Sequence, residues 1–311
     1  MTRHFLEVDD LAPTEIAEVL DASRSDLGRP LEGMGVALVM GLPSARTRNS
    51  TELAVVDLGG HPVAMSAAEV GIDSRETAED LARTLAQYHR VIAARVTDHR
   101  VLERMTGALD DAGIDVPVVN LLSPQAHPVQ ALADLLTLDD ELGGRGALRG
   151  RRLAWIGDAN NVARSLALAA VAVGCKVAVA APEGHGFDRP DLERIERYAA
   201  AAGLGGSVAV AASPAEAADG AVAVSTDVWV SMGQEAEREQ RLARFAGYQV
   251  DEALLDAAGP GTVFLHCLPA HRGEEVTAGA LEGKRSRVWP QAAHRRTAMR
   301  GLLGWLVTEG R

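Results

Sequence analysis

Short apolar runs rich in β-branched residues alternate with helix-compatible segments along almost the whole chain, and this alternation constrains the fold more than any other feature. In the first half, GVALVM (35–40), HPVAMS (61–66), VIAARV (91–96) and VPVVNL (116–121) read as strands. Between and around them, LAPTEIAEVLDAS (11–23), TELAVVDLG (51–59), TAEDLARTLAQYH (77–89) and the stretch after His127-Pro128 carry helical spacing. The second half repeats the scheme: RRLAWIG, KVAVAAP, SVAVAA, AVAVSTD and TVFLHCLP read as strands, separated by the helices NNVARSLALAAVAVG, DLERIERYAAAAG and SPAEAADG. The chain closes on a helix, HRRTAMRGLLGWLV. A helical crossover returns the chain to the same end of a sheet, so strands alternating with helices pair in parallel. The expected fold is α/β, with two doubly wound parallel-sheet domains. DDELGGRGALRG (139–150) is glycine-rich and charged with little apolar periodicity, and is the expected connection. The domains are therefore expected at 1–138 and 139–290.

At 311 residues, with 47% hydrophobic and 24% charged residues, the chain is long enough for two cores. A formal net charge of −12 excludes broad phosphate-backbone binding, so any anion site must be a local basic pocket and no nucleic-acid partner is expected. Two cysteines, Cys175 and Cys267, make no disulfide framework and suit a reducing cytoplasm. MTRHFLEVDDL lacks the apolar core of a signal peptide, and no uninterrupted 18-residue apolar run suggests a membrane span. The expected protein is cytoplasmic and has no membrane partner.

In open parallel sheets, ligands gather at the carboxyl ends of the strands. That rule isolates the loop holding Ser44, Ala45, Arg46 and Thr47, then Arg95, SPQAHPVQ, GDANN, STDVWVSMGQE and HCLPAHR, all expected to meet in an interdomain cleft. SARTRNS (44–50) lies between a strand and a helix, where backbone N–H groups and guanidinium forks suit phosphate oxygens; surface ion pairs explain the same residues equally well. His127 and Gln130, three apart at a helix start, suit a carbonyl or amide, although an isolated histidine is more often a structural partner. GDANN opens a helix but lacks G-x-G-x-x-G, so a dinucleotide is disfavoured; Asn160 and Asn161 serve either a carboxylate or a helix cap. Asp227 and Ser231 suit an ammonium group, or simple turn chemistry. No Cys/His/Asp spacing of a metal site and no G-x-S-x-G elbow is seen.

Taken together, FLHCLPAHRGEEV, HPVQALADLLT, GDANNVARSL and TDVWVSMGQE occur in the order and form found in the ornithine carbamoyltransferases. The chain resembles that group, within the wider aspartate/ornithine carbamoyltransferase family, over nearly its whole length. The resemblance implies a carbamoyl-phosphate domain, an amino-acid domain, a final helix (291–311) packing back on the first domain, and a trimer or higher assembly with shared active sites. It implies carbamoyl transfer to the side-chain amine of L-ornithine, giving L-citrulline, with no cofactor and no metal.

By the same resemblance, Ser44, Ala45, Arg46 and Thr47 bind phosphate, and Arg95, His127 and Arg295 stabilise the developing oxyanion or hold the carbamoyl group. Gln130 bonds the carbamoyl amide, while Cys267 and Leu268 approach the reacting centre. Asn161, Asp227, Ser231 and Met232 hold the amino acid, and Cys267 lies beside the attacking amine with Asp227 rather than acting as a covalent nucleophile.

The chain departs from the family pattern at Leu42, where a lysine is usual, at Ala45, where a threonine is usual, and at Gly71, matched to a glutamine. Pro290, Ala293 and His294 also replace the usual residues before Arg295. Each missing charge-assisted bond is worth about 1.5–3 kcal/mol. These changes leave open a carbamoyltransferase with a different amine or donor, or a non-catalytic amino-acid-binding relative.

Overall fold

A computed structural model describes residues 2–231 and 235–309. The chain divides into two compact units, the first comprising residues 1–133 and 293–311, the second residues 134–292. The division falls within two long helices, at Ala133–Asp134 and at Ala292–Ala293, and the glycine-rich stretch 139–150 lies inside the second unit.

The first sheet holds β1 (Gly35–Met40), β2 (His61–Ser66), β3 (His89–Arg95) and β4 (Val118–Leu122), all parallel, in the order β2-β1-β3-β4. Its helices are α1 (Pro13–Arg24), α2 (Ala45–Asp57), α3 (Ala67–Val70), α4 (Ala78–Leu85), α5 (Arg100–Asp111) and the start of α6 (Pro128–Leu142). The second sheet holds β5 (Arg152–Ile156), β6 (Lys176–Ala180), β7 (Ser207–Val210), β8 (Ala221–Thr226) and β9 (Val263–His266), parallel in the order β7-β6-β5-β8-β9. Around it run α7 (Asn161–Ala172), α8 (Arg189–Ala202), α9 (Pro214–Ala218), α10 (Arg238–Phe245), α11 (Glu252–Ala258), α12 (Ala278–Glu282) and α13 (Val288–Thr308), whose later turns belong to the first unit. Both sheets are parallel and doubly wound, as the strand–helix alternation predicts.

Each sheet reverses its winding once. The first starts at β1, winds outward to β2, then crosses to β3; the second starts at β5, winds out to β7, then crosses to β8. The gaps between β1 and β3 and between β5 and β8 are thus the topological switch points, where adjacent loops leave in opposite directions and open a crevice. Apolar packing fixes these positions. In the first unit Ile92, Leu102 and Met105 are fully buried, each side chain contributing roughly 1.5–3 kcal/mol. In the second, Ile156, Val224, Phe264 and Val276 do the same.

Two readings from sequence are corrected. SARTRNS is not a loop ahead of a helix at 51: α2 begins at Ala45, because the Ser44 side chain accepts the Thr47 N–H and caps it. The segments 97–115 and 228–261, which received no helices, contain α5, α10 and α11. In α5 the signal was present, since Val101, Leu102, Met105, Ala108 and Leu109 form a helical apolar stripe.

Candidate active site

Thr47, Arg95, His127, Gln130 and Arg295 form one cluster in the first unit, and Asn160, Asp227 and Cys267 another in the second, around the carboxyl ends of the strands at and beside each switch point. In the first unit, Gly41 leaves β1 against the end of β3, where a Cβ on it would lie 2.6 Å from the Arg95 carbonyl oxygen. Glycine is required for that approach, and the Gly41 N–H donates to the same oxygen at 2.8 Å. The chain then turns into α2 through Ser44. Along a helix each residue advances about 100°, so Arg46 and Arg48 project in nearly opposite directions. Arg48 turns to Glu52, four residues on, at 2.8 Å, whereas Arg46 adds its charge to the surroundings of His127.

Thr47 is buried and lies at the centre of this cluster. Its Oγ1 accepts from Arg95 at 3.2 Å and from Arg295 at 3.3 Å, and lies 3.1 Å from Ser44 Oγ. Arg295, on α13, also donates to Gln130 Oε1 at 2.6 Å and meets His127 Nε2 at 3.1 Å. A guanidinium only donates, so His127 Nε2 accepts and the ring carries its proton on Nδ1. Burial, followed by the charges of Arg295, Arg95 and Arg46, holds the His127 pKa well below the ordinary histidine value. A neutral imidazole among three guanidinium groups suits a dianion together with a neutral carbonyl. Ala45 is exposed in the first turn of α2. Gly71 ends α3 in the left-handed conformation, φ 61°, so the glycine there is a requirement of the turn and a glutamine would be strained.

In the second unit, Asp227 follows β8 and is 8% exposed. Its Oδ1 accepts from Cys267 Sγ at 3.2 Å and its Oδ2 from Asn160 Nδ2 at 2.8 Å. Asn161 is the first residue of α7, and its Oδ1 accepts the Val162 N–H at 3.0 Å. Ser231 is half-buried a few residues beyond Asp227. Met232 lies outside the described residues.

Cys267 and Leu268 leave β9 in a turn held from beneath. The Leu268 N–H, at φ 60°, donates to His266 Nδ1 at 2.9 Å, so the His266 proton sits on Nε2 and points to Glu275 Oε1 at 3.1 Å. The same Glu275 oxygen accepts the His271 N–H at 2.6 Å. Both His266 and Glu275 are fully buried. The His266 N–H donates to Gln291 Oε1 at 2.9 Å, and Gln291 reaches Asp134 at 2.7 Å. A partly exposed cysteine beside a buried histidine at a strand end is thereby explained: the histidine shapes the turn that presents the thiol.

Sequence reasoning overlooked several supporting residues. Buried Arg241 on α10 donates to the Trp229 carbonyl and pairs with Asp158, linking the loops after β8 and β5. Burial raises the Asp158 carboxyl pKa against the opposing charge of Arg241. Glu275 carries no sequence signal of its own, and Asn160, read as serving either a carboxylate or a helix cap, is found to do the second while donating to Asp227. Among the described residues, two groups bring three metal-ligand atoms within 4.8 Å of one another: Asp227, His266 and Cys267, and His271, Glu274 and Glu275. In the first, both ring nitrogens of His266 are already engaged; in the second, Glu274 also pairs with Arg238.

One doubly wound unit that gathers guanidinium groups about a buried imidazole, and another that sets a carboxylate beside a thiol, define a two-domain α/β protein. The chain belongs to the aspartate/ornithine carbamoyltransferase family. Its residues 3–140 match the family's carbamoyl-P binding domain and residues 149–306 its Asp/Orn binding domain. An ornithine carbamoyltransferase from Parafrankia sp. is 42% identical, over 99% of this chain and 96% of the relative. One from Thermus thermophilus is 43% identical, over 97% and 96% respectively. The structure of the Pyrococcus furiosus ornithine carbamoyltransferase superimposes with a TM-score of 0.89 at 39% identity, covering 97% of this chain and 96% of that one.

Proposed function

We propose that this protein transfers the carbamoyl group of carbamoyl phosphate to the side-chain amine of L-ornithine, releasing L-citrulline and phosphate. It acts as an ornithine carbamoyltransferase. The observation that carries this reading is the neutral, buried His127 held among Arg46, Arg95 and Arg295, in the segment matching the carbamoyl-P binding domain.

In this reading residues 1–138, with the helix 291–311, bind carbamoyl phosphate, and residues 139–290 bind ornithine. The phosphate rests on the first turn of α2, where the Ser44 and Thr47 hydroxyls, the Ala45 backbone and the Arg46 guanidinium suit its oxygens. Arg95 and Arg295 balance its charge, Gln130 serves the carbamoyl amide, and the Nδ1–H of His127 donates to the carbonyl oxygen as negative charge develops there. Asn161, Asp227, Ser231 and Met232 hold the α-amino and carboxylate groups of ornithine, and Cys267 and Leu268 lie beside the reacting centre.

An alkyl amine is about 99.9% protonated at pH 7 and must shed a proton before reacting. Asp227 and Cys267 orient the neutral amine. Its lone pair forms the new C–N bond, the C–O bond to phosphate breaks with its electrons going to phosphate, and the leaving phosphate takes up the proton lost by nitrogen. Phosphate is a competent leaving group and orientation supplies much of the remaining acceleration, so no cofactor is invoked.

Family membership supports a homotrimer or higher assembly, a cytoplasmic location and a place in arginine biosynthesis. Leu53 and Val56, on one side of α2, are 45% and 53% exposed and are suited to cover by another subunit. The test is citrulline formation from carbamoyl phosphate and L-ornithine, with Arg46→Ala as the blank. Product well above that blank is expected, and none above it from folded protein overturns the reading.

A further inference from the structure

We infer that Asn160 is the positioning residue that fixes the Asp227 carboxylate for the amine acceptor, an inference that rests on the role proposed for Asp227 above. Asn160 is committed at both ends of its amide. Its Oδ1 accepts the Val162 N–H at 2.9 Å and the Ala163 N–H at 3.2 Å, capping α7. With the oxygen held by two backbone donors, the amide has one orientation, and Nδ2 faces Asp227 Oδ2 at 2.8 Å. Cys267 Sγ donates to the other oxygen, Oδ1, at 3.2 Å.

These two donors come from opposite sides of β8. Asn160 follows β5 and Cys267 follows β9, the two neighbours of β8 in the sheet. One donor on each oxygen therefore sets the carboxylate plane. A carboxylate offers about four lone-pair positions in all, so each oxygen keeps one for the substrate.

This double role explains why the position carries asparagine. Serine and aspartate cap helices as well as asparagine does. Serine, however, lacks a second donor to reach Asp227, and aspartate would face one carboxylate with another. Only an amide accepts from the helix and donates to Asp227 together.

The test compares Asn160→Ser and Asn160→Asp with the parent enzyme by steady-state kinetics and thermal unfolding. In both variants the cap survives, so the unfolding midpoint stays close to that of the parent. Removing one hydrogen bond to a charged group raises the KM for ornithine by about 10–100-fold in Asn160→Ser, and Asn160→Asp raises it further. The KM for carbamoyl phosphate stays within about twofold, because the hydrogen bond to Asp227 serves only the acceptor side. Ornithine KM values equal to the parent's overturn the inference, as does a parallel loss of thermal stability and of both substrate affinities. Asp227→Asn separates the two readings: if it leaves ornithine use intact, the role of Asp227 itself fails. If it abolishes ornithine use while both Asn160 variants behave as the parent, only the present inference fails.

Discussion

Arg295 donates a hydrogen bond to His127 Nε2 at 3.1 Å, and that contact fixes the imidazole as neutral with its proton on Nδ1. The two residues lie 168 positions apart in the chain, yet together they decide which ring nitrogen carries the proton.

The first expectation concerns acid stability. The His127 pKa lies below the ordinary value of 6.5 because of burial and then Arg295, Arg95 and Arg46. As pH falls below about 6.5, the unfolded chain takes up a proton that the native ring refuses. The contribution is thus complete above that pH and is lost below it, at up to about 1.4 kcal/mol per pH unit. Urea unfolding at pH values between about 7.5 and 5 should give a shallower decline for His127→Asn than for the parent; equal slopes would count against a neutral native imidazole.

Arg295→Gln removes the donor shared by His127, Gln130 and Thr47. Carbamoyl phosphate KM is expected to rise by about 10–100-fold, given about 1.5–3 kcal/mol for a hydrogen bond to a charged group. Ornithine affinity, measured at saturating carbamoyl phosphate, should change far less.

The departures at the α2 terminus predict a gain of function. Ala45 is the first residue of α2 and is exposed, so Ala45→Thr adds a hydroxyl without disturbing a core. A fall of about 3–10-fold in carbamoyl phosphate KM is expected, the equivalent of a net hydrogen bond of about 1 kcal/mol. Leu42→Lys, made separately, should act in the same direction and show a stronger dependence on salt.

Glu275→Ala leaves the His266 Nε2–H and the His271 N–H without their acceptor. Denaturant titration should show a loss of about 3 kcal/mol. Glu275→Gln retains an acceptor oxygen and should recover a substantial part of it. A loss below about 0.5 kcal/mol in the alanine variant would mean that the turn after β9 does not depend on this pair.

The parallel, doubly wound architecture was legible because period-2 and period-3.6 apolar patterns are local properties of the chain. The candidate residues were legible for a related reason: a polar residue directly after an apolar strand has few places to go except the carboxyl edge of the sheet. Residues that carry two readings, such as His127 and Asn160, stay ambiguous in the sequence because their partners, Arg295 and Asp227, lie far away along the chain. The start of α2 was misread because a cap at Ser44 and a polar first turn look the same as a loop until the Thr47 N–H is seen to bond the Ser44 side chain.

What the sequence by itself determined was the set of strands, their parallel pairing and the identity of the polar groups at the strand ends, since each follows from covalent order and local pattern. Strand order, the switch points beside β1 and β5, the neutral state of His127 and the two-sided grip on Asp227 were decided only in the tertiary structure. Each depends on burial and on donors brought from distant segments, and neither desolvation nor hydrogen-bond direction is written in the order of residues along the chain.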